Sequence, residues 1–363
     1  MNLRDLGWDR SLEKQFESFQ KKGLTPARVA RERRRDYVVF SSQGELVAKV
    51  SGKFRHAARS RAELPTVGDW VGLVVRPDEQ RGTIHVLLPR KSSFSRKAVL
   101  SGGMPDTGGR TEQQVLAANV DVVFLVGGLD GDFNLRRIER YVAVAWDSGA
   151  IPVVVLNKID LCDNVEKRVQ EVESIAPGLA VLAVSATGNQ GLDELHEYVA
   201  VGKTAAFLGS SGVGKSTLIN KLIGSDRLEV RPVREHDSRG RHTTTSRDML
   251  ILPSGGVVID TPGLREIQMW SDEGGLEQTF DDIESLAARC RFRDCRHEQE
   301  PGCAVQAALQ DATLDAGRYQ SYLKLKRELK HLAMRQNPAE ARRAQRQRGK
   351  MIRQHFKEVK KQR

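Results

Sequence analysis

The chain has 363 residues and a net charge of +11, and 39% of its residues are hydrophobic, ordinary for a globular protein with two or three cores. Met1–Gln20 lacks a secretion-signal pattern and no apolar run is long enough to cross a bilayer, so the expectation is a cytoplasmic monomer with no membrane partner. Four cysteines, three of them clustered beside a histidine, exclude a disulfide framework.

Segment by segment, the net charge is +5 over Met1–Arg35, +5 over Asp36–Leu100, −12 over Ser101–Gly317 and +13 over Arg318–Arg363. Basic ends around an acidic middle suit a polyanion held by the ends, and RNA is the leading candidate. Met1–Arg35, with Arg31, Arg33, Arg34 and Arg35 crowded together, reads as a basic extension or a frayed helix. From Asp36, short alternating or β-branched runs predict strands at Tyr37–Phe40, Glu45–Val50, Trp70–Val75 and Thr83–Leu88, divided by Gly44, Gly52, Pro65, Gly68, Pro77 and Gly82. This spacing fits a small barrel, an OB-fold or an SH3-like one, with Lys49, Lys53, Arg55, Arg59 and Arg61 on or beside its face. Gly-rich Ser101–Arg110 reads as a linker.

An α/β alternation follows. Strands are expected at Val120–Val126, Val153–Leu156, Val181–Val184, Met249–Leu252 and Val257–Ile259, with helices at Asn134–Ala145, Val165–Ala176 and Leu192–Val199, which argues for a parallel sheet covered on both faces. The segment Gly209-Ser210-Ser211-Gly212-Val213-Gly214-Lys215-Ser216, followed by Thr217, lies between an apolar run and a helical one and matches the phosphate-binding P-loop. Its backbone N–H groups and Lys215 suit the phosphates, and the Ser216 hydroxyl suits Mg²⁺. Asn157-Lys158-Ile159-Asp160 ends one strand. The Asp160 carboxylate can accept from N1–H and the exocyclic amine of guanine, donors that adenine lacks, while Lys158 lies along the base. Ser185-Ala186 ends the next strand, where a backbone N–H can meet the guanine oxygen.

After the P-loop, Arg239–Thr245 suits a first switch that adds a Mg²⁺ contact from Thr244, with Thr243 close behind, and Asp260-Thr261-Pro262-Gly263 suits a second, with Asp260 on Mg²⁺ through water and the Gly263 N–H on the γ-phosphate. Leu264 stands where a water-orienting glutamine is common, so turnover is expected to need help; His242 is the candidate, a plain loop histidine the other reading. The expected catalytic set is therefore Lys215, Thr244 and His242. The base-reading motifs precede the P-loop and the switches follow it, the order of a circularly permuted GTPase. Cys290, Cys295, His297 and Cys303 form a closed structural Zn²⁺ set, crowded by Arg289, Arg291, Phe292, Arg293 and Arg296. Helices are expected at Leu276–Ala288, Ala304–Leu309 and from Ala316 to about Met334, and a flexible basic tail past Pro338.

Together, Val67-Gly68-Asp69-Trp70, Pro89-Arg90-Lys91-Ser92-Ser93-Phe94, the permuted motifs with His242-Thr243-Thr244-Thr245, Cys290–His297 and Glu300-Pro301-Gly302-Cys303 resemble the bacterial small-ribosomal-subunit-dependent GTPases of the RsgA type over nearly the whole length. The resemblance implies an α/β, circularly permuted P-loop GTPase domain (105–268) between an N-terminal OB-fold β-barrel (36–104) and a C-terminal α-helical zinc-binding domain (269–335), with a basic extension (1–35) and tail (336–363). It further implies GTP hydrolysis to GDP and phosphate with Mg²⁺, late in 30S maturation, on 16S rRNA and stimulated by the small subunit. The alternative is a nucleotide-gated RNA-binding module with incidental hydrolysis.

Overall fold

The computed structural model describes residues 1–99, 111–226, 228, 247–260 and 274–336. The chain opens on helix α1 (Arg10–Gln20), whose first turn is capped by the Asp9 carboxylate accepting from Leu12 N–H, 2.9 Å. It buries Leu12 and Phe16, and Phe16 meets Trp8 edge-on while Trp8 meets Trp70. The strands β1 (Thr25–Glu32), β2 (Tyr37–Ser41), β3 (Gly44–Val50), β4 (Trp70–Arg76) and β5 (Arg81–Leu87) follow, with a short helix α2 (Gly52–Ala57) after β3. β1 pairs with both β2 and β4, and β3 pairs with β5 in parallel, closing an OB-like barrel. Ala27, Val29, Val39, Leu46, Ala48, Val71, Leu73 and Ile84 fill it.

The N-terminal reading is corrected here. The segment expected to be a basic arm or frayed helix contains both α1 and the barrel's first strand. Of the crowded arginines, Arg31 lies on β1 and Arg33–Arg35 are exposed in the turn between β1 and β2, where Arg33 N–H donates to Asp36 O at 2.8 Å. The sequence hides the strand because Arg28 interrupts an otherwise apolar Ala27–Ala30 and Arg31 and Glu32 follow it directly. The linker reading also changes: Ser101–Arg110 lies outside the described residues, but β6 (Ser93–Val99) and β7 (Thr111–Ala118) on either side of it pair antiparallel as a separate two-stranded ribbon. The segment therefore joins two paired strands, and the expected boundary at residue 104 falls within that connection.

The larger sheet is built from β8 (Val122–Gly128), β9 (Ile151–Asn157), β10 (Val181–Val184), β11 (Thr204–Gly209), β12 (Asp248–Ile251) and β13 (Val257–Asp260), in the order β10-β9-β8-β11-β13-β12. All pairs are parallel except β12 on β13. Alternate strand residues face opposite layers. Phe124, Val153, Val155, Phe207 and Val258 pack with Leu195 of helix α5 (Leu192–Tyr198) and with Leu218 and Leu222 of α6 (Lys215–Ile223). On the other face Val123, Leu125, Val154, Leu156 and Leu208 pack with Ile138 and Val142 of α3 (Leu135–Ser148) and Val172 of α4 (Val165–Ile175).

That second layer is continuous with the C-terminal helices α7 (Gly274–Thr279), α8 (Asp281–Ala287), α9 (Ala304–Gln310) and α10 (Ala316–Gln336), through Leu276, Phe280, Tyr319, Tyr322 and Leu325. The single helix expected over Leu276–Ala288 is two, separated at the buried Phe280. Gly275 lets α7 sit against α3: a Cβ there would fall 2.6 Å from Ala143 O. The antiparallel pairing of β1 with β12 joins barrel and α/β sheet into one sheet of eleven strands.

Candidate functional site

The segment expected to bind phosphate turns out of β11 at Gly209 and into α6 at Lys215. Gly214 holds φ +95°, and a Cβ on it would run into the Asn157 side chain. The Lys215 ammonium lies across the mouth of the loop, donating to Gly209 O at 2.8 Å and to Ser210 O. Ser210 Oγ donates to the Asp132 carboxylate, which also receives Arg137, and Arg137 reaches back to Ser210 Oγ at 3.0 Å. Ser216 and Thr217 stand in the first turn of α6, and Ser211, Gly212 and Val213 complete the loop.

Asn157 connects this loop to the side expected to read the base. Its Nδ2 donates to Val213 O at 2.8 Å and its Oδ1 accepts from Ala186 N–H at 3.1 Å, so one fully buried amide ties together three loops distant in sequence. Of the Ser185-Ala186 turn, expected to offer a backbone N–H to a base oxygen, the Ala186 N–H is engaged with Asn157 in this arrangement. Ser185 Oγ donates to Asp160 and accepts from Gly188 N–H at 2.9 Å, which fixes the carboxylate's orientation. Lys158 has a left-handed backbone, φ +67°, and its ammonium is ion-paired with Asp130.

Asp260 ends β13 directly opposite Asp248 of β12. Burial and the Asp248 charge push its carboxyl up to about 6, against the pull of Lys215. A carboxylate oxygen at the end of β13, within the field of the P-loop lysine, is the hard oxygen donor that Mg²⁺ takes, so Asp260 fits that ion. His242, Thr243, Thr244, Gly263 and Leu264 lie outside the described residues.

The expected zinc ligands do converge. Cys290 Sγ and Cys303 Sγ are 3.9 Å apart, and His297 Nδ1 lies 3.6 and 3.5 Å from them. All four ligand atoms, with Cys295, fall within 4.8 Å of one another. A tetrahedral zinc with bonds of about 2.3 Å to sulfur and about 2.0 Å to nitrogen has edges of roughly 3.5–3.8 Å. The knot is braced by Cys303, which caps α9 by accepting from Gln306 N–H, and by the exposed Glu300, whose carboxylate collects the N–H groups of Arg296, Glu298 and Gln299 and is held down at about 2 by them.

Two buried arginines escaped the sequence reading. Arg28 of β1 donates to Gly68 O, Asn119 O, Thr204 Oγ1 at 2.8 Å and Leu6 O, thereby binding the barrel to the foot of the P-loop strand. Arg318 of α10 grips Asp282 with two bonds and reaches Glu139 of α3, Ile175 O and Thr279 O. An arginine inside an apolar strand was the available signal for Arg28; Arg318 sat in a run of charges that showed none.

A model of the RsgA GTPase family matches residues 87–270. The chain is 48% identical to a protein of Opitutus terrae named "Small ribosomal subunit biogenesis GTPase RsgA", over 97% of this chain and 96% of that one. It is 44% identical to a protein of the same name from Syntrophotalea carbinolica, over 91% and 90%. The crystal structure of YjeQ from Thermotoga maritima superposes with a TM-score of 0.62 at 30% identity, over 84% of this chain and 98% of that one. The crystal structure of YloQ, described as a circularly permuted GTPase, shares the fold with a TM-score of 0.60 at 23% identity, over 85% of this chain and 96% of that one.

Proposed function

The chain belongs to the RsgA GTPase family, and from that premise we propose that it binds GTP with Mg²⁺ and hydrolyses it to GDP and phosphate during late maturation of the 30S subunit. The observation that supports the chemistry is the Asn157 bridge, which ties the P-loop to the turn carrying Ser185 and Asp160 and so favours a nucleotide pocket between them.

In that pocket Asp160, oriented by Ser185, accepts from the guanine N1–H and amine, and the Lys158 stem and Ala186 line the base. The N–H groups from Gly209 to Thr217 and the Lys215 ammonium take the phosphates; an incoming phosphate replaces the carbonyls that Lys215 now holds. Ser216, Asp260 through water, and Thr244 would hold Mg²⁺, whose charge neutralises the phosphate oxygens. Gly263 meets the γ-phosphate, and His242 orients the attacking water in place of a glutamine. Zinc bound by Cys290, Cys295, His297 and Cys303 has no open position and serves structure alone.

The relatives' names supply the ribosomal setting. The exposed Arg33–Arg35, Lys49, Lys53, Arg55, Arg59 and Arg61 on the barrel, with the basic rim of the zinc knot, support a 16S rRNA partner. Among the described residues no helix is long and apolar enough to cross a membrane. GTP turnover measured alone and with isolated 30S, 50S or 70S particles tests the reading. Stimulation by 30S alone is expected; no stimulation by any particle indicates a nucleotide-gated RNA-binding module instead.

A further inference from the structure

The junction between barrel and α/β sheet carries a reciprocal pair of charges. Arg31 and Glu32, the last two residues of β1, face Arg247 and Asp248 at the start of β12, with Arg31 and Asp248 paired in register. Arg31 is ion-paired with Asp248, and Arg247 with Glu32 at 3.2 Å. The inner members are the more enclosed: the Arg247 and Asp248 side chains are 13% and 24% exposed, those of Arg31 and Glu32 45% and 39%. Each strand thus offers a cation and an anion in an order that matches only one register, since a slip by one residue sets like charges together.

What the clasp holds matters for the nucleotide site. Asp248 lies opposite Asp260 on β13, so β1 is two strands from the carboxylate read above as the Mg²⁺ partner. On the same strand, Arg28 fixes Thr204 at the foot of β11. Beyond Glu32 the chain passes straight into the exposed Arg33–Arg35 turn, the barrel's own polyanion-facing corner. A phosphate chain drawn to that turn approaches Arg31 and Glu32 with opposite effects on the two, and so acts on the clasp.

We propose that the Arg31–Asp248 and Glu32–Arg247 pairs are positioning pairs through which the barrel sets the placement of the Asp260 strand, so that a polyanion on the arginine turn is felt at the metal side of the nucleotide site. The inference rests on the assignment of Asp260 to Mg²⁺ in the proposed function. Its direct consequence is a clasp that governs how much Mg²⁺ the nucleotide site requires while leaving Mg²⁺-free nucleotide binding alone.

The test uses the full chain and a fluorescent non-hydrolysable GTP analogue, titrated with Mg²⁺ and separately in EDTA. Glu32→Arg and Arg247→Glu, each alone, are expected to raise the Mg²⁺ concentration for half-maximal tightening by about 3- to 10-fold, the scale of a partly buried ion pair, with EDTA affinity unchanged. Combining the two restores the pairing with reversed sign and returns the midpoint to within about 2-fold of wild type. Arg31→Lys, which keeps the charge, stays near wild type, and Arg31→Ala moves with the single reversals. An unmoved midpoint, a parallel loss of EDTA affinity, or failure of the double reversal to restore the midpoint overturns the inference. Wild-type turnover with and without 30S is read in the same preparation: absence of stimulation overturns the ribosomal reading, while the Mg²⁺ midpoints alone decide the clasp.

Discussion

Each flanking region drives one buried arginine into the α/β domain, and the two are held in opposite ways. Arg28, from the barrel, is caged by three carbonyls and a hydroxyl; none of its hydrogen-bond partners is a carboxylate. Burial pushes its guanidinium down to about 10, only partly opposed by the charges of Asp121 and Asp69. Arg318, from the C-terminal helices, is also pulled down by burial, but the bond to Asp282 and the charges of Asp282 and Glu139 outweigh it and hold the guanidinium above the ordinary value. Glu139 is itself fully buried, shared between Arg318 and Arg136, with Oε2 lacking any hydrogen-bond partner among the described residues. Around Arg28 the barrel side is thus held by dipoles, whereas around Arg318 the helical side is held by compensated charge. Removing a cation from the first strands acceptors; removing it from the second strands an ion as well.

The comparison can be broken most forcefully at the metal knot, because α8, which carries Asp282, leads directly into Cys290. Cys295→Ser is expected to abolish stoichiometric zinc in elemental analysis, and chelation to release the helices around the knot; structural zinc in small domains contributes on the order of 10 kcal/mol. Proteolysis confined to residues 281–310, with the α/β domain intact, is the expected pattern. Unaltered zinc content in Cys295→Ser means that another ligand set is used.

Next in size is Arg318→Met, which leaves Glu139 buried with Arg136 alone and is expected to destabilise the fold by about 3–5 kcal/mol. Adding Glu139→Leu should recover most of that loss in thermal melts. If the double variant is no better than the single, charge compensation is not what holds this junction. Arg28→Met strands the carbonyls of Leu6, Gly68 and Asn119, with an expected loss of about 2–3 kcal/mol, smaller because no ion is left behind. Equal losses at the two arginines remove the distinction between them.

The smallest effect has the opposite sign and lies between the two junctions. Asp260 is raised from 3.8 to about 6, so the folded state favours its neutral form and the ionised carboxylate works against folding above pH 4 by an amount that grows until about pH 6. Asp260→Asn is therefore expected to stabilise the Mg²⁺-free protein at pH 7 by ~1–3 kcal/mol, with no gain near pH 3, while Mg²⁺-dependent nucleotide binding is lost. In the wild type, Mg²⁺ affinity should be flat above pH 7 and weaken by up to about tenfold per pH unit below 6, as the metal must displace a proton. A flat profile down to pH 5 places the Mg²⁺ carboxylate elsewhere.

How much was legible in the chain varies by region. The α/β strands read cleanly because each is a short apolar run bounded by turns, and the P-loop, the base-reading turns and the zinc spacing are local patterns whose chemistry depends on residue type. Domain edges read poorly. Thr25–Glu32 looked like a charged arm because Arg28 points into an interface that no local pattern announces, and Thr111–Ala118 looked like domain entry because its partner strand lies before the Ser101–Arg110 connection. The break at Phe280 likewise follows from packing of that ring against Tyr322 and Arg318, residues some forty positions away.

What the amino-acid order alone determined is the motif order of a permuted domain and a four-ligand Cys/His cluster, together with the proposed chemistry of a P-loop sequence and an Asp160 carboxylate suited to guanine. The cluster, the P-loop sequence and the Asp160 turn are local patterns, the longest running from Cys290 to Cys303, where backbone geometry leaves few choices. What tertiary structure decided is how these parts are held to one another: the Asn157 bridge across 56 residues, Arg28 reaching Thr204 across 176, Arg318 reaching Glu139 across 179, and the charged clasp between β1 and β12. A polar group's partner in a folded chain is whichever opposite group the packing brings within hydrogen-bond reach, and that proximity is a property of the assembled sheet and helices rather than of any one stretch.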